Sequence, residues 1–118
     1  MLLSARCAGC GARGAVLCRT CRFALVAGPA DGVPDDVEVA TSFTGRVRDI
    51  LLGFKYGNRR GVANHLGGLL ARRLGDGPPI DLVTWAPTGP RRRRQRGFDQ
   101  AELLARSVAA HLGVDCRR

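Results

Sequence analysis

The chain has 118 residues, a formal charge of +9 and 45% hydrophobic residues. That length bounds it to one domain plus a small appendage, and the hydrophobic share suits a modest core. The charge points to phosphate-rich or nucleic-acid partners. Lys55 is the single lysine, and arginine with abundant Gly and Ala is also the mark of a GC-rich coding sequence. Part of the charge therefore reads as solvated surface.

Met1–Cys7 (MLLSARC) has no positive segment ahead of an apolar one, and no apolar run reaches the length of a membrane span. The expectation is a cytoplasmic protein. In that reducing setting five cysteines read as metal ligands rather than disulfides. Cys7-Ala8-Gly9-Cys10 and Cys18-Arg19-Thr20-Cys21 form two CxxC pairs in turn-prone surroundings. A CxxC turn points both sulfurs at one ion, and tetrahedral Zn2+ takes four thiolates. Two such knuckles with a short hairpin between them make a small zinc ribbon. The alternatives are two disulfides, disfavoured by the compartment, and a redox pair, which needs one CxxC beside a βαβ pattern. Four protein ligands leave no open position, so the zinc is expected to be structural and to supply the module's folding energy. Cys116 stands apart as a buried small residue or a free thiol.

Gly28–Asp36 (GPADGVPDD) is a linker that separates the four-cysteine module, residues 1–27, from the main domain, residues 37–118. Val37–Phe43 has the β-branched alternation of an edge strand. Thr44–Tyr56 reads as a helix with Thr44 as cap, a stripe of Val47, Ile50, Leu51 and Phe54, and Gly57 at its stop. Arg60–Leu74 is a second helix, with Val62, Leu66, Leu69, Leu70 and Leu74 on one face and Arg72 and Arg73 in the last turn. His65 has no second His or Cys nearby and reads as a helix-face residue rather than a ligand or base. Pro78-Pro79 prevents continuation of that helix.

Ile80–Ala86 contains a continuous apolar run suited to a strand covered on both faces. Ala86-Pro87-Thr88-Gly89-Pro90 follows, then Arg91, Arg92, Arg93, Arg94 and Arg96. A strand, an anion-attracting loop and a helix start in that order suit a phosphate-bearing partner. The arginine run reads equally as a solvated loop. The last helix is expected at Phe98–Leu112. Asp99 and Glu102 have capping-box spacing, and Phe98, Ala101, Ala105, Val108 and Leu112 form the buried stripe.

Taken together, the paired CxxC motifs, Phe43-Thr44-Gly45-Arg46 through Lys55-Tyr56-Gly57, Thr84-Trp85-Ala86-Pro87 and Arg96-Gly97-Phe98-Asp99-Gln100-Ala101 closely resemble the ComF family. These are phosphoribosyltransferase-like proteins linked to natural competence and DNA uptake. The resemblance implies an α/β protein: a small N-terminal zinc ribbon followed by a partial type I phosphoribosyltransferase-like (Rossmann-like) domain. It implies that Pro87–Pro90 lies where pyrophosphate binds and that Arg91–Arg96 belongs to a mobile basic hood. The implied phosphate contacts are Pro87, Thr88, Gly89, Arg94, Arg96 and Gly97. The implied ligand is 5-phosphoribosyl-1-pyrophosphate (PRPP), with Mg2+ in a longer protein, and the implied partners are competence-machinery proteins. Asp99 stands where the family more often has Asn, and Ala86-Pro87-Thr88 replaces a Val-Pro-Val-Pro-like loop. No Asp-Asp followed by Thr-Thr-Gly occurs, since Asp35-Asp36 runs into Val37-Glu38. The expectation is therefore the N-terminal half of such a protein, without turnover of its own. Two other functions fit: a zinc-ribbon module binding single-stranded DNA with steep salt dependence, or an inactive fragment whose apolar edges make it dimerise or aggregate.

Overall fold

Local periodicity decides most of the helices. The computed structural model describes residues 6–26, 35–41, 45–56, 61–75, 77–96 and 99–118. The Thr44 cap, the Gly57 stop, Arg60, Gly97, Phe98 and most of the linker lie outside the described residues, as does the side chain of Arg96. Helix α1 spans Arg19–Leu25, α2 Gly45–Tyr56 and α3 Val62–Leu74. Strand β1 is Leu82–Val83, α4 is Pro90–Arg96, α5 is Gln100–Leu112 and β2 is Asp115–Cys116. The fold is thus mixed and mainly helical, with one two-stranded sheet among the described residues. None of the described helices is long and apolar enough to cross a membrane.

The anticipated apolar stripes form the core. Val47, Ile50 and Phe54 of α2 meet Val62, Leu66 and Leu69 of α3, and Leu17 and Leu25 join the same cluster from the cysteine module. Cys7 and Cys21 are buried within it. Burying each of these larger side chains contributes roughly 1.5–3 kcal/mol. The cysteine module and the helices therefore share one core. Gly9, inside the first CxxC turn, is one place where they touch closely. A Cβ there would lie 2.7 Å from Cys21 Sγ and 2.8 Å from Ile50 Cγ1.

The second half is built on α3, α5 and the sheet. β1 pairs with β2 in parallel, Leu82 opposite Asp115 and Val83 opposite Cys116, and the Arg117 N–H donates to the Val83 carbonyl at 3.0 Å. A parallel pair needs a long crossover, and α4 and α5 supply it. Helix α5 packs along α3 more extensively than any other two elements meet. Small residues allow this. A Cβ on Gly67 would fall 2.5 Å from Ser107 Cβ and 3.0 Å from the Ser107 carbonyl carbon.

Four expectations need correction. Residues 37–41 form no strand, and Val37 is exposed. A strand needs a partner, and what holds this segment is Arg73 Nε donating to the Ala40 carbonyl at 2.8 Å. The Ile80–Ala86 strand contracts to Leu82–Val83 because β2 offers only two residues to pair with. Nor is it covered on both faces, for Leu82 is half exposed. The arginine run is helix α4 rather than a loop. Pro90 supplies a first-turn φ without needing an N–H donor, arginine favours helix, and Arg93 N–H donates to the Gly89 carbonyl at 3.0 Å. Finally, the second CxxC begins a helix instead of forming a second knuckle turn, with Cys18 as the α1 N-cap, while an isolated Arg6–Arg13 bridge brackets the first pair.

Two substitutions at the α3–α5 contact separate close packing from polarity. Gly67→Ala is expected to destabilise the fold by about 1–3 kcal/mol, because backbone and Cβ atoms must move. The buried Ser107 hydroxyl has no hydrogen-bond partner among the described residues. Ser107→Ala is therefore expected to be neutral or stabilising. Denaturant unfolding of both variants gives the two values.

Candidate functional site

The cysteine cluster has the geometry its spacing promised. The sulfurs of Cys7, Cys10, Cys18 and Cys21 all lie within 4.8 Å of one another, and Cys10 and Cys18 are 3.7 Å apart. All are free thiols. The first turn is shaped by backbone hydrogen bonds: Cys7 N–H to the Ala12 carbonyl at 2.8 Å and Gly11 N–H to the Cys7 carbonyl at 2.9 Å. The Gly9 and Cys18 N–H groups point at Cys7 Sγ, at 3.4 and 3.3 Å. Arg46 of α2 reaches Cys21 Sγ at 3.7 Å. Four converging sulfurs, two buried, two more accessible, make a site compatible with a structural metal.

The thiols differ in acidity. Burial pushes Cys7 up, but the N–H groups of Cys18, Cys10 and Gly9 outweigh it and hold it down at about 6. Cys18 is also lowered, chiefly by the Cys21 N–H. Burial drives Cys21 up to about 12, against the pull of Arg46 and with the push of the other three cysteines. Four neighbouring thiols do not all ionise unaided, and a cation bound among them would supply the missing positive charge.

The described residues expected to contact phosphate lie around the start of α5 and along α4. Asp99 is buried and caps α5, accepting from the N–H of Ala101 at 3.1 Å and of Glu102 at 3.3 Å. It also accepts from Thr88 N–H at 3.0 Å and Thr88 Oγ1 at 2.7 Å. An intramolecular carboxylate thus occupies the α5 N-terminus, and both donors of Thr88 are turned to it. The loop after β1 is tied to α5 by the same group. Gly89 is exposed, and Arg94 is exposed on α4. Gly97 and the Arg96 side chain lie outside the described residues.

Beside this tie is a polar pocket of about 270 Å3, lined by Trp85, Pro87, Arg93, Asp99, Glu102, Arg106 and Arg118. Of the expected contacts among the described residues, only Pro87 lines it. Arg106 is committed: its Nε donates to Glu102 at 2.8 Å and its guanidinium lies 5.6 Å from the Trp85 ring centre. Arg93 and Arg118 make no ion pair among the described residues. The pocket opens beyond the carboxyl ends of β1 and β2, the usual ligand position beside parallel strands. A larger cavity, about 530 Å3, lies between α3, α5 and β1, but Leu70, Leu74, Ile80, Leu104 and Val108 make it apolar. It offers nothing to recognise phosphate.

Arg93 belongs to the run Arg91–Arg96 that the resemblance implied as a basic hood, whereas sequence reasoning missed Arg106 and Arg118 as pocket residues. Arg118 arrives only through the pairing of β2 with β1, a non-local event. Arg106 carried a local signal, since it lies four residues beyond Glu102. Comparison of the chain with protein-family models, with curated proteins and with solved structures found no match, so the site's own geometry carries its interpretation.

Two outcomes are expected. Arg46→Ala removes an outer contact to a metal ligand and should weaken metal affinity about tenfold, measured by competition with a chromophoric chelator. Asp99→Ala should cost about 1–3 kcal/mol at pH 7, as a lost cap with stranded donors. Burial pushes the Asp99 carboxyl up, but the Thr88 hydroxyl and the N–H groups of Thr88, Glu102 and Ala101 outweigh it and hold it below the usual range. A carboxyl lowered by folding stabilises fully above its unfolded value of about 4, and that contribution fades as pH falls through the folded value. The gap between parent and variant in urea titrations should therefore be full at neutral pH and narrow in acid.

Proposed function

We propose that this chain is a ComF-like, phosphoribosyltransferase-type protein that binds the pyrophosphate end of PRPP at the pocket beyond β1 and β2. Its four cysteines hold a structural Zn2+. The single observation behind the ligand assignment is the pair of uncommitted guanidiniums, Arg93 and Arg118, converging on a pocket at the carboxyl ends of parallel strands. The resemblance of the sequence motifs to that family supports the choice of ligand class. Zinc follows from four thiolates at mutually short distances, the donor set this ion favours.

Within this proposal each residue has a physical task. Arg93 and Arg118 supply charge-assisted hydrogen bonds to phosphate oxygens. Trp85 and Glu102 hold Arg106 in place, so the third guanidinium adds field rather than a free contact. Asp99 fixes the Pro87–Gly89 loop against α5, and its charge is spent on four N–H and O–H donors rather than repelling the ligand at full strength. The 118 residues contain no Asp-Asp followed by Thr-Thr-Gly. Ligand binding, not turnover, is accordingly the activity proposed for them.

Calorimetry with pyrophosphate and with PRPP tests the assignment. Arg93→Gln and Arg118→Gln are each expected to weaken binding about tenfold or more, the size of a lost hydrogen bond between charged groups. Both side chains are exposed, so the variants should remain folded. Failure of the parent chain to bind either ligand, or equal affinity in parent and variants, would refute it.

A further inference from the structure

A second basic site lies on other elements. Helices α1 and α3 enclose a groove of about 90 Å3 lined by Arg22, Leu25, Val26, His65, Leu69 and Arg72. It shares no residue with the pocket beyond β1. Three of its six lining residues are basic and none is acidic. Its volume leaves room for a phosphate group. His65 is half-buried and held below its ordinary value, first by burial and then by the charge of Arg22. A phosphate would relieve this crowding of like charge.

The surface beside the groove is unusual in its own right. Arg19, Arg22, Phe23 and Val26 stand at i, i+3, i+4 and i+7, and so share one side of α1. Phe23 is 75% exposed and Val26 48% exposed. They cannot turn inward, because Cys21 and Leu25 of the same helix are already buried in the core. An exposed ring flanked by arginines offers a stacking platform next to phosphate donors. Two apolar side chains, one on a seven-residue helix and one at its C-cap, provide little area for holding a lipid surface.

We infer that the α1–α3 groove is a nucleotide-binding site, with a phosphate between Arg22, His65 and Arg72 and a base stacked on Phe23. This goes beyond the PRPP assignment and does not depend on it. The phosphate can belong to a free nucleotide or to a single strand, and the experiment separates these.

Fluorescence anisotropy of the metal-loaded chain with a labelled oligothymidylate of about ten nucleotides, within the span such sites cover, gives the affinity and its salt dependence. Phe23→Ala is expected to weaken binding about tenfold, the scale of one lost stacking contact, without changing the salt slope. Arg22→Gln with Arg72→Gln is expected to weaken binding and flatten the slope by about 0.7, the amount for one phosphate contact to a single strand. Arg91→Gln with Arg92→Gln removes the same charge from α4 and should change affinity much less. All these side chains are exposed. Competition by thymidine monophosphate at concentrations near those of the oligonucleotide would assign the site to free nucleotides. Displacement by oligonucleotides alone would assign it to single strands. The inference is overturned if the parent chain binds neither, if Phe23→Ala binds as tightly as the parent, or if the α4 pair loses as much as the Arg22–Arg72 pair. Pyrophosphate calorimetry on the Arg22–Arg72 variant, expected to match the parent, keeps this outcome separate from that of the pocket beyond β1.

Discussion

Four sulfurs held within 4.8 Å of one another are the constraint on which the first half of the molecule depends. Two of them, on Cys7 and Cys21, sit in the same buried cluster as Ile50, Phe54 and Val62. The cysteine module is therefore not an ornament attached to a finished domain. Its inner thiols are core residues, and Gly9 is small enough to let the first turn rest on Cys21 and Ile50. Cys18 then starts α1, and the position of Cys21 one turn in fixes which side of that helix faces inward. Leu25 follows into the core, while Arg22, Phe23 and Val26 are left outside. The basic groove against α3 is a consequence of that rotation.

A second constraint organises the other half. The Asp99 carboxylate gathers donors from Thr88 and from the first turn of α5. Helix starts attract anions because their first N–H groups are unpaired and the dipole is positive there. Here the chain supplies its own anion. The proposed phosphate site is therefore beside this helix start, at Arg93 and Arg118, which make no ion pair among the described residues. Thr88, expected from sequence as a phosphate contact, has both its donors on Asp99.

How much was legible follows from how local each interaction is. The cysteine quartet could be read because chelate spacing is a short-range property. The bodies of α2, α3 and α5 could be read because the apolar period of Val47, Ile50 and Phe54, or of Val62, Leu66 and Leu69, is written within one segment. The Asp99 cap was equally local. Residues 37–41 misled because alternation describes a strand's faces and not whether a partner exists. Helix α4 misled because it has no apolar stripe to announce it, only a proline start and arginines that favour helix anyway. The two basic pockets were beyond the sequence. Arg118 reaches Trp85 and Pro87 only after β2 pairs with β1, and Arg22 meets His65 and Arg72 only after α1 docks on α3. A signal for α1 did exist in Cys21 and Leu25, four apart, but the CxxC pattern had Cys18–Cys21 read as a turn.

The most direct measurement is X-ray absorption at the zinc edge of the purified chain, with the metal counted per polypeptide. The account predicts one zinc per chain, surrounded by four sulfurs at about 2.3 Å and by no nitrogen or oxygen. A first shell containing nitrogen or oxygen, or a metal-free chain with its core intact, would contradict it.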